Sequence, residues 1–134
     1  MGKRHQAREL ALKTLFQLEA ADDDPEEVLR YHAFEGAATP DVAKFALELV
    51  NGVIANRETL DAILTEASDH WKLGQMAKVD RIILRIAVYE ITIDRQVPTK
   101  AAINESIELA KTFSGEEASR FVNGILGRVA ATAS

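Results

Sequence analysis

An all-α fold, a compact seven-helix bundle, is what this sequence predicts, and three observations predict it. Apolar residues recur at three- and four-residue spacing along most of the chain. Two proline-led starts, Asp24-Pro25 and Thr39-Pro40, punctuate it as helix N-termini do. No segment reads convincingly as a strand, so no sheet is expected.

The first helix is expected over residues 3–20, with Ala7, Leu10, Ala11, Thr14 and Leu18 on one face. It ends at Ala21-Asp22-Asp23-Asp24-Pro25, where Asp24 is placed to cap the next helix, Pro25 takes its first position and Glu27 its third. That second helix holds Val28, Leu29, Tyr31 and Phe34 and stops near Gly36. Thr39-Pro40 opens a third, with Val42, Phe45, Ala46, Leu49 and Val53 inward. A fourth, about residues 58–68, carries Leu60, Ile63, Leu64 and Ala67 at helical spacing. Residues 69–75 break it and contain the only tryptophan, Trp71.

Residues 79–91 are apolar nearly all round, which makes this fifth helix the buried centre of the fold. Its β-branched content would also suit a strand; its length and the Val79, Ile82, Ile83, Ile86 spacing decide for helix. After Gln96-Val97-Pro98 a sixth helix runs to Phe113 with Ile103, Ile107 and Ala110 in one stripe. Ser114-Gly115-Glu116-Glu117 reads as a capping box for the seventh, in which Phe121, Val122, Ile125, Leu126 and Val129 point inward. Gly124 lies inside that helix, where glycine costs about 1 kcal/mol against alanine. Such a cost suggests a close approach by another backbone or a partner, or tight helix packing.

The chain has 134 residues, of which 47% are hydrophobic and 28% charged, a balance that predicts one folded domain over residues 1–134. It has no cysteine, which excludes disulfides and thiolate metal sites. No apolar run approaches the ~18 residues of a membrane span, and the N-terminus turns polar at once without a signal-peptide core. The expected location is the cytoplasm, with no membrane partner. The net charge of −5 is unevenly spread: residues 1–13 carry Lys3, Arg4, Arg8 and Lys13 against Glu9, a net +3, leaving −8 on the rest. A basic arm on an acidic body either binds polyanions or is a solvated helix end, and charge alone does not decide.

Catalysis has little to stand on. His5, His32 and His70 lie in separate segments without paired-ligand spacing, and no E-x-x-H pair, phosphate-cradling glycine loop or nucleophile elbow occurs. No cofactor, no metal and no catalytic residue is expected. Glu105 and Glu108, three apart on the sixth helix, read as ion-pair partners for Arg81 or Arg85. Arg85 lies in the most apolar segment, where an unpaired charge would be costly, so a carboxylate such as Glu105 or Glu108 is expected beside it.

Binding has more to work with. On a helical wheel, His5, Arg8, Leu12 and Phe16 fall within about a quarter of the circumference, opposite the core stripe. An aromatic ring beside cations suits single-stranded nucleic acid, stacking on a base while the cations hold phosphates. The same face could instead pack within the bundle. Lys111 and Arg120 flank the capping-box turn and would extend a basic surface if that turn lay near the first helix. Lys78, Arg81 and Arg85 share a face of the fifth helix, and Asp80 at its start suits the helix dipole or a basic protein partner.

With these residues laid out, the chain resembles the NusB family of bacterial transcription antitermination factors. The carriers are A-R-E-L-A-L-K-T-L-F-Q at 7–17, L-V-N-G-V-I-A-N at 49–56, V-D-R-I-I-L-R-I-A-V-Y-E at 79–90, A-I-N-E-S-I-E-L-A-K-T-F at 102–113 and F-V-N-G-I-L at 121–126. The resemblance implies two packed helical subdomains without catalytic activity, forming one RNA-binding domain. It implies pairing with NusE, a ribosomal small-subunit protein, and binding of the pair to the boxA element of nascent RNA. Other Nus factors and RNA polymerase would be engaged indirectly, chiefly on ribosomal RNA operons.

The resemblance also implies roles for particular residues. RNA contacts would come from Lys3, Arg4, His5, Arg8, Phe16, Glu117, Arg120 and Phe121, and the protein partner would meet Asp80 and Arg81. His5 and Gln6 stand where the family often carries arginine, so RNA affinity of the lone chain is expected to be modest. Two alternatives stand beside this reading. The fold also serves as an N-terminal module of ribosomal RNA cytosine methyltransferases, for which 134 residues leave no room. The other is a helical protein-interaction or homodimerisation module in which the Phe16 face buries against a second copy.

Overall fold

The computed structural model describes residues 2–68 and 73–133, so the expected break at Asp69, with His70 and Trp71, lies outside the described residues. Seven α-helices form among those described, and no strand. The chain divides into two units, Met1–Ala55 and Asn56–Ser134.

The first unit holds α1 (Lys3–Ala20), α2 (Pro25–Glu35) and α3 (Pro40–Ala55), with α1 packed on both others. The caps form where the residue types allow them. Asp24 accepts from the Glu27 amide at 3.1 Å ahead of Pro25, and Thr39 Oγ1 accepts from the Val42 amide at 3.4 Å ahead of Pro40. Ala7, Leu10 and Ala11 are buried as their spacing predicts, as are Val28, Leu29, Val42, Ala46, Leu49 and Val53; Val50 is buried as well. Thr14 is also fully buried; its hydroxyl donates to the Leu10 carbonyl at 2.8 Å, which removes the cost of an unpaired polar group. Tyr31 and Phe34 depart from expectation: they are 58% and 82% exposed, because the short α2 buries only Val28 and Leu29.

The second unit is arranged around α5 (Lys78–Tyr89), which packs against α4 (Arg57–Ala67), α6 (Thr99–Phe113) and α7 (Glu116–Ala133). Residues 82–88 are buried without interruption. Each of Ile82, Ile83, Leu84, Ile86 and Val88 contributes roughly 1.5–3 kcal/mol by leaving water. The helix continues into a π turn, Glu90–Asp94, closed by the Arg95 amide donating to the Glu90 carbonyl at 2.9 Å. A single 3-10 turn, Leu73–Gln75, precedes α5. Arg128 on α7 donates to the Ala67 carbonyl at 2.6 Å, meeting one of the orphan acceptors at the end of α4.

Four expectations need correction here. Arg85, expected beside Glu105 or Glu108, forks onto Asp61 of α4, through Nε to Oδ1 at 2.7 Å and Nη2 to Oδ2 at 3.1 Å. That fork-to-carboxylate geometry is the strong form of the contact. On α6 the most buried residues are Ala102, Ser106, Leu109 and Ala110, while Ile103 and Ile107 flank them half-buried. The small Ala102 and Ser106 let the backbone come close, so bulk shifts to the edge of the stripe. The capping box does not form as written: Ser114 closes α6, and Gly115, with φ +122°, supplies the first carbonyl of α7 to the Ser119 amide at 3.1 Å. Gly124 is exposed, and a Cβ there would meet nothing within 4 Å, so no close approach within the chain explains it.

Asp61→Ala would remove the carboxylate that forks onto a guanidinium whose side chain is 6% exposed. Because Asp61 itself is 28% exposed, water screens part of the loss, and a cost of about 2–3 kcal/mol is expected in urea denaturation. A cost under about 0.5 kcal/mol would match an ordinary surface pair instead.

Candidate functional site

Two surfaces carry the candidate residues, one on each unit. On the first unit, the N-terminal tip of α1 presents Lys3, Arg4 and His5, and each is engaged locally. Lys3 Nζ donates to Asp41 Oδ2 of α3 at 2.7 Å, an exposed pair. The Arg4 guanidinium lies over the Phe45 ring, 4.5 Å from its centroid. His5 Nε2 lies 3.3 Å from Glu9 Oε1, one turn along the same helix. Asp41 and Phe45 are themselves one turn apart on α3, so a single face of that helix holds consecutive residues of the tip.

The second face of α1 divides by depth. Leu12 is 3% exposed and Arg8 also 3%, whereas Phe16 is 43% exposed. The expectation that His5, Arg8, Leu12 and Phe16 form one binding face therefore holds for exposure only at Phe16, since the His5 side chain is 11% exposed. Arg8 is a buried cation engaged within the protein. His5 and Phe16 are separated by about 16 Å along the axis at ~1.5 Å per residue, so a strand touching both would run along the helix. Beside Phe16, Gln17 Oε1 lies 2.8 Å from His32 Nε2 of α2. Desolvation by burial, then the charge of Lys13, holds the His32 pKa below the usual imidazole value, which favours its neutral form.

On the second unit, a pocket of about 320 Å³ opens between the start of α5 and the α6–α7 turn. Met76, Asp80, Ser114, Glu117, Ala118 and Phe121 are among its lining residues. Asp80 is 8% exposed and sits in the first turn of α5, where the helix dipole favours a carboxylate. Its Oδ1 is buried and accepts no hydrogen bond from the protein. A buried acceptor left unmet costs free energy, and a donor from a ligand would recover it. With Glu117 and Phe121 also in its lining, the pocket suits a planar group that donates hydrogen bonds, and its carboxylates repel phosphate.

The structure thus brings Asp80, Glu117 and Phe121 to one pocket, an assembly that sequence spacing does not reveal. Arg81 faces elsewhere: its Nη1 donates to the Leu73 carbonyl at 3.0 Å, tying the 3-10 turn to α5. Arg120 and Lys111 are exposed on the same unit. Ser114 belongs to the pocket although no functional role was expected of it; the S-G turn that the capping-box motif marks is the signal that could have found it. Among the described residues no group of three or more His, Asp or Glu side chains is placed to hold a metal ion.

Comparison with known proteins places these surfaces in context. A model of the NusB family matches residues 5–131. The transcription antitermination protein NusB of Heliobacterium modesticaldum is 45% identical over 127 residues, 95% of this chain; the chain spans 62% of that protein's length. The protein of the same name from Myxococcus xanthus is 42% identical over 134 residues, covering 97% of this chain and 96% of its own. A crystal structure of the antitermination factors NusB and NusE in complex with dsRNA is alike in fold, with a TM-score of 0.89 at 23% identity over 98% of both chains.

Gly115 lies in the α6–α7 turn beside Ser114, which lines the pocket. A Cβ there would meet nothing within 4 Å, but φ +122° is a conformation that L side chains rarely adopt. Gly115→Ala is expected to cost about 1–3 kcal/mol through backbone strain alone. Thermal denaturation checks this, and an unchanged midpoint would mean that the turn relaxes freely.

Proposed function

The chain belongs to the NusB family, and we propose that it is a transcription antitermination factor that binds boxA RNA together with NusE. It acts by binding and not as an enzyme. The observation that carries the chemistry is the separation of charge on its surfaces: cations at the tip of α1, unmet carboxylate in the pocket of the second unit. Polyanion and polycation are thereby offered different places to bind.

On this reading the first unit holds RNA. Lys3, Arg4 and His5 meet phosphates, and Phe16 offers its ring to a base. Arg8 contributes by keeping α1 in place, since its burial leaves it little to offer a strand directly. Arg120 and Phe121 would add RNA contacts from the second unit. Asp80 receives donors from NusE, a ribosomal small-subunit protein and so a basic one, with Glu117 beside it and Arg81 holding the adjoining turn. Other Nus factors and RNA polymerase join through this complex, chiefly on ribosomal RNA operons. A second reading, self-association, draws on the exposed Phe16, Tyr31 and Phe34. Light scattering on the free protein distinguishes it, because a stable dimer that RNA does not dissociate favours the interaction module.

Fluorescence anisotropy of labelled boxA RNA tests the main reading, with the protein alone and with NusE, against a scrambled RNA. Binding tightened by NusE and selective for boxA is expected. If about four phosphates are neutralised, affinity falls roughly 50-fold between 50 and 200 mM salt. A mixture that neither forms a complex nor discriminates boxA contradicts it. Arg4→Ala should weaken RNA binding about 3- to 10-fold while costing under ~1 kcal/mol of stability, the scale of one cation–π contact. Arg8→Ala should instead cost about 2 kcal/mol or more in thermal denaturation, because it empties a buried, partnered position. The reverse pattern would exchange the two assignments.

A further inference from the structure

The ion pair at the α1 tip has a consequence for affinity. We infer that Asp41 is a built-in competitor for Lys3, occupying the cation that would otherwise go to an RNA phosphate. This rests on the reading of the α1 tip as an RNA-binding segment and goes beyond it, by assigning an affinity-setting role to an acidic residue of α3.

Three observations carry it. Lys3 Nζ and Asp41 Oδ2 are 2.7 Å apart although 38 residues separate them in sequence, so the tertiary fold makes the pair. Their side chains are 64% and 62% exposed, and an exposed pair of this kind is weak enough for a polyanion to displace. One turn further along α3, Phe45 holds the Arg4 guanidinium at 4.5 Å, which keeps the tip beside Asp41. The Lys3 hydrogen bond and charge, with a smaller effect from Lys44, hold the Asp41 carboxyl below the usual carboxylate range. The competitor is therefore ionised throughout the neutral range in which RNA would bind. An incoming phosphate must break this pair before it gains Lys3, and the negative charge left on Asp41 then faces it.

The test is boxA RNA anisotropy on the full chain with NusE, at about 50 mM salt where phosphate contacts are strongest. Asp41→Asn is compared with wild type, Lys3→Ala and the double variant, with Asp22→Asn as a control for general loss of negative charge. Asp41→Asn is expected to tighten binding two- to fivefold and to steepen the log–log salt slope by up to ~0.7, the share of one single-strand phosphate. In the Lys3→Ala background its effect should shrink to that of Asp22→Asn. A gain no larger than the control's, or one that persists without Lys3, overturns the inference while wild-type binding leaves the RNA reading standing. Absence of RNA binding by wild type and variant alike overturns both.

Discussion

A helix buried on every side governs the second unit. Residues 82–88 of α5 have no solvent face, so each polar group on the helix must find a partner or sit at an end. Arg85 takes the first course through its two bonds to Asp61. Asp80 takes the second, in the first turn, and Glu90 is buried where the α-helix widens into the π turn, with a polar partner of its own. A buried ion pair seldom stabilises a fold by itself. The aliphatic burial along α5 is what outweighs its desolvation, and the pair then fixes how α4 lies against α5.

The same constraint creates the pocket. Asp80 has its Oδ1 out of water but facing lining residues that donate nothing to it. The helical unit thus keeps a buried acceptor that the described residues leave unmet. The first unit follows a different logic. Its cations are exposed or half-exposed at the tip and are steadied by weak contacts to α3, a carboxylate for Lys3 and a ring for Arg4. Such contacts order the side chains without committing them, as a surface that exchanges partners requires.

Much of this was legible in the sequence. The bounds of α1, the Asp24 cap and the uninterrupted burial of α5 follow from spacing and residue type, because they depend on neighbours within a few positions. What was not legible depends on which elements meet. Periodicity shows that Arg85 faces inward but not that a carboxylate of α4 stands opposite it, and so Asp61 was missed. The wheel groups Arg8 with His5 and Phe16 by angle and says nothing of depth, yet Arg8 and Phe16 are 3% and 43% exposed. Serine and glycine compete for the cap at 114–115, and the left-handed backbone of the glycine decides. The pocket unites residues 75–80 with 114–121, a join made only by tertiary packing.

Amide-resolved NMR, with the labelled protein titrated first with boxA RNA and then with NusE, addresses the division of labour between the two surfaces most directly. RNA should shift amides around Lys3–His5 and Phe16, and NusE should shift those around Met76–Asp80 and the α6–α7 turn. Shifts from NusE confined to the first unit, or from RNA confined to the Asp80 pocket, would contradict it.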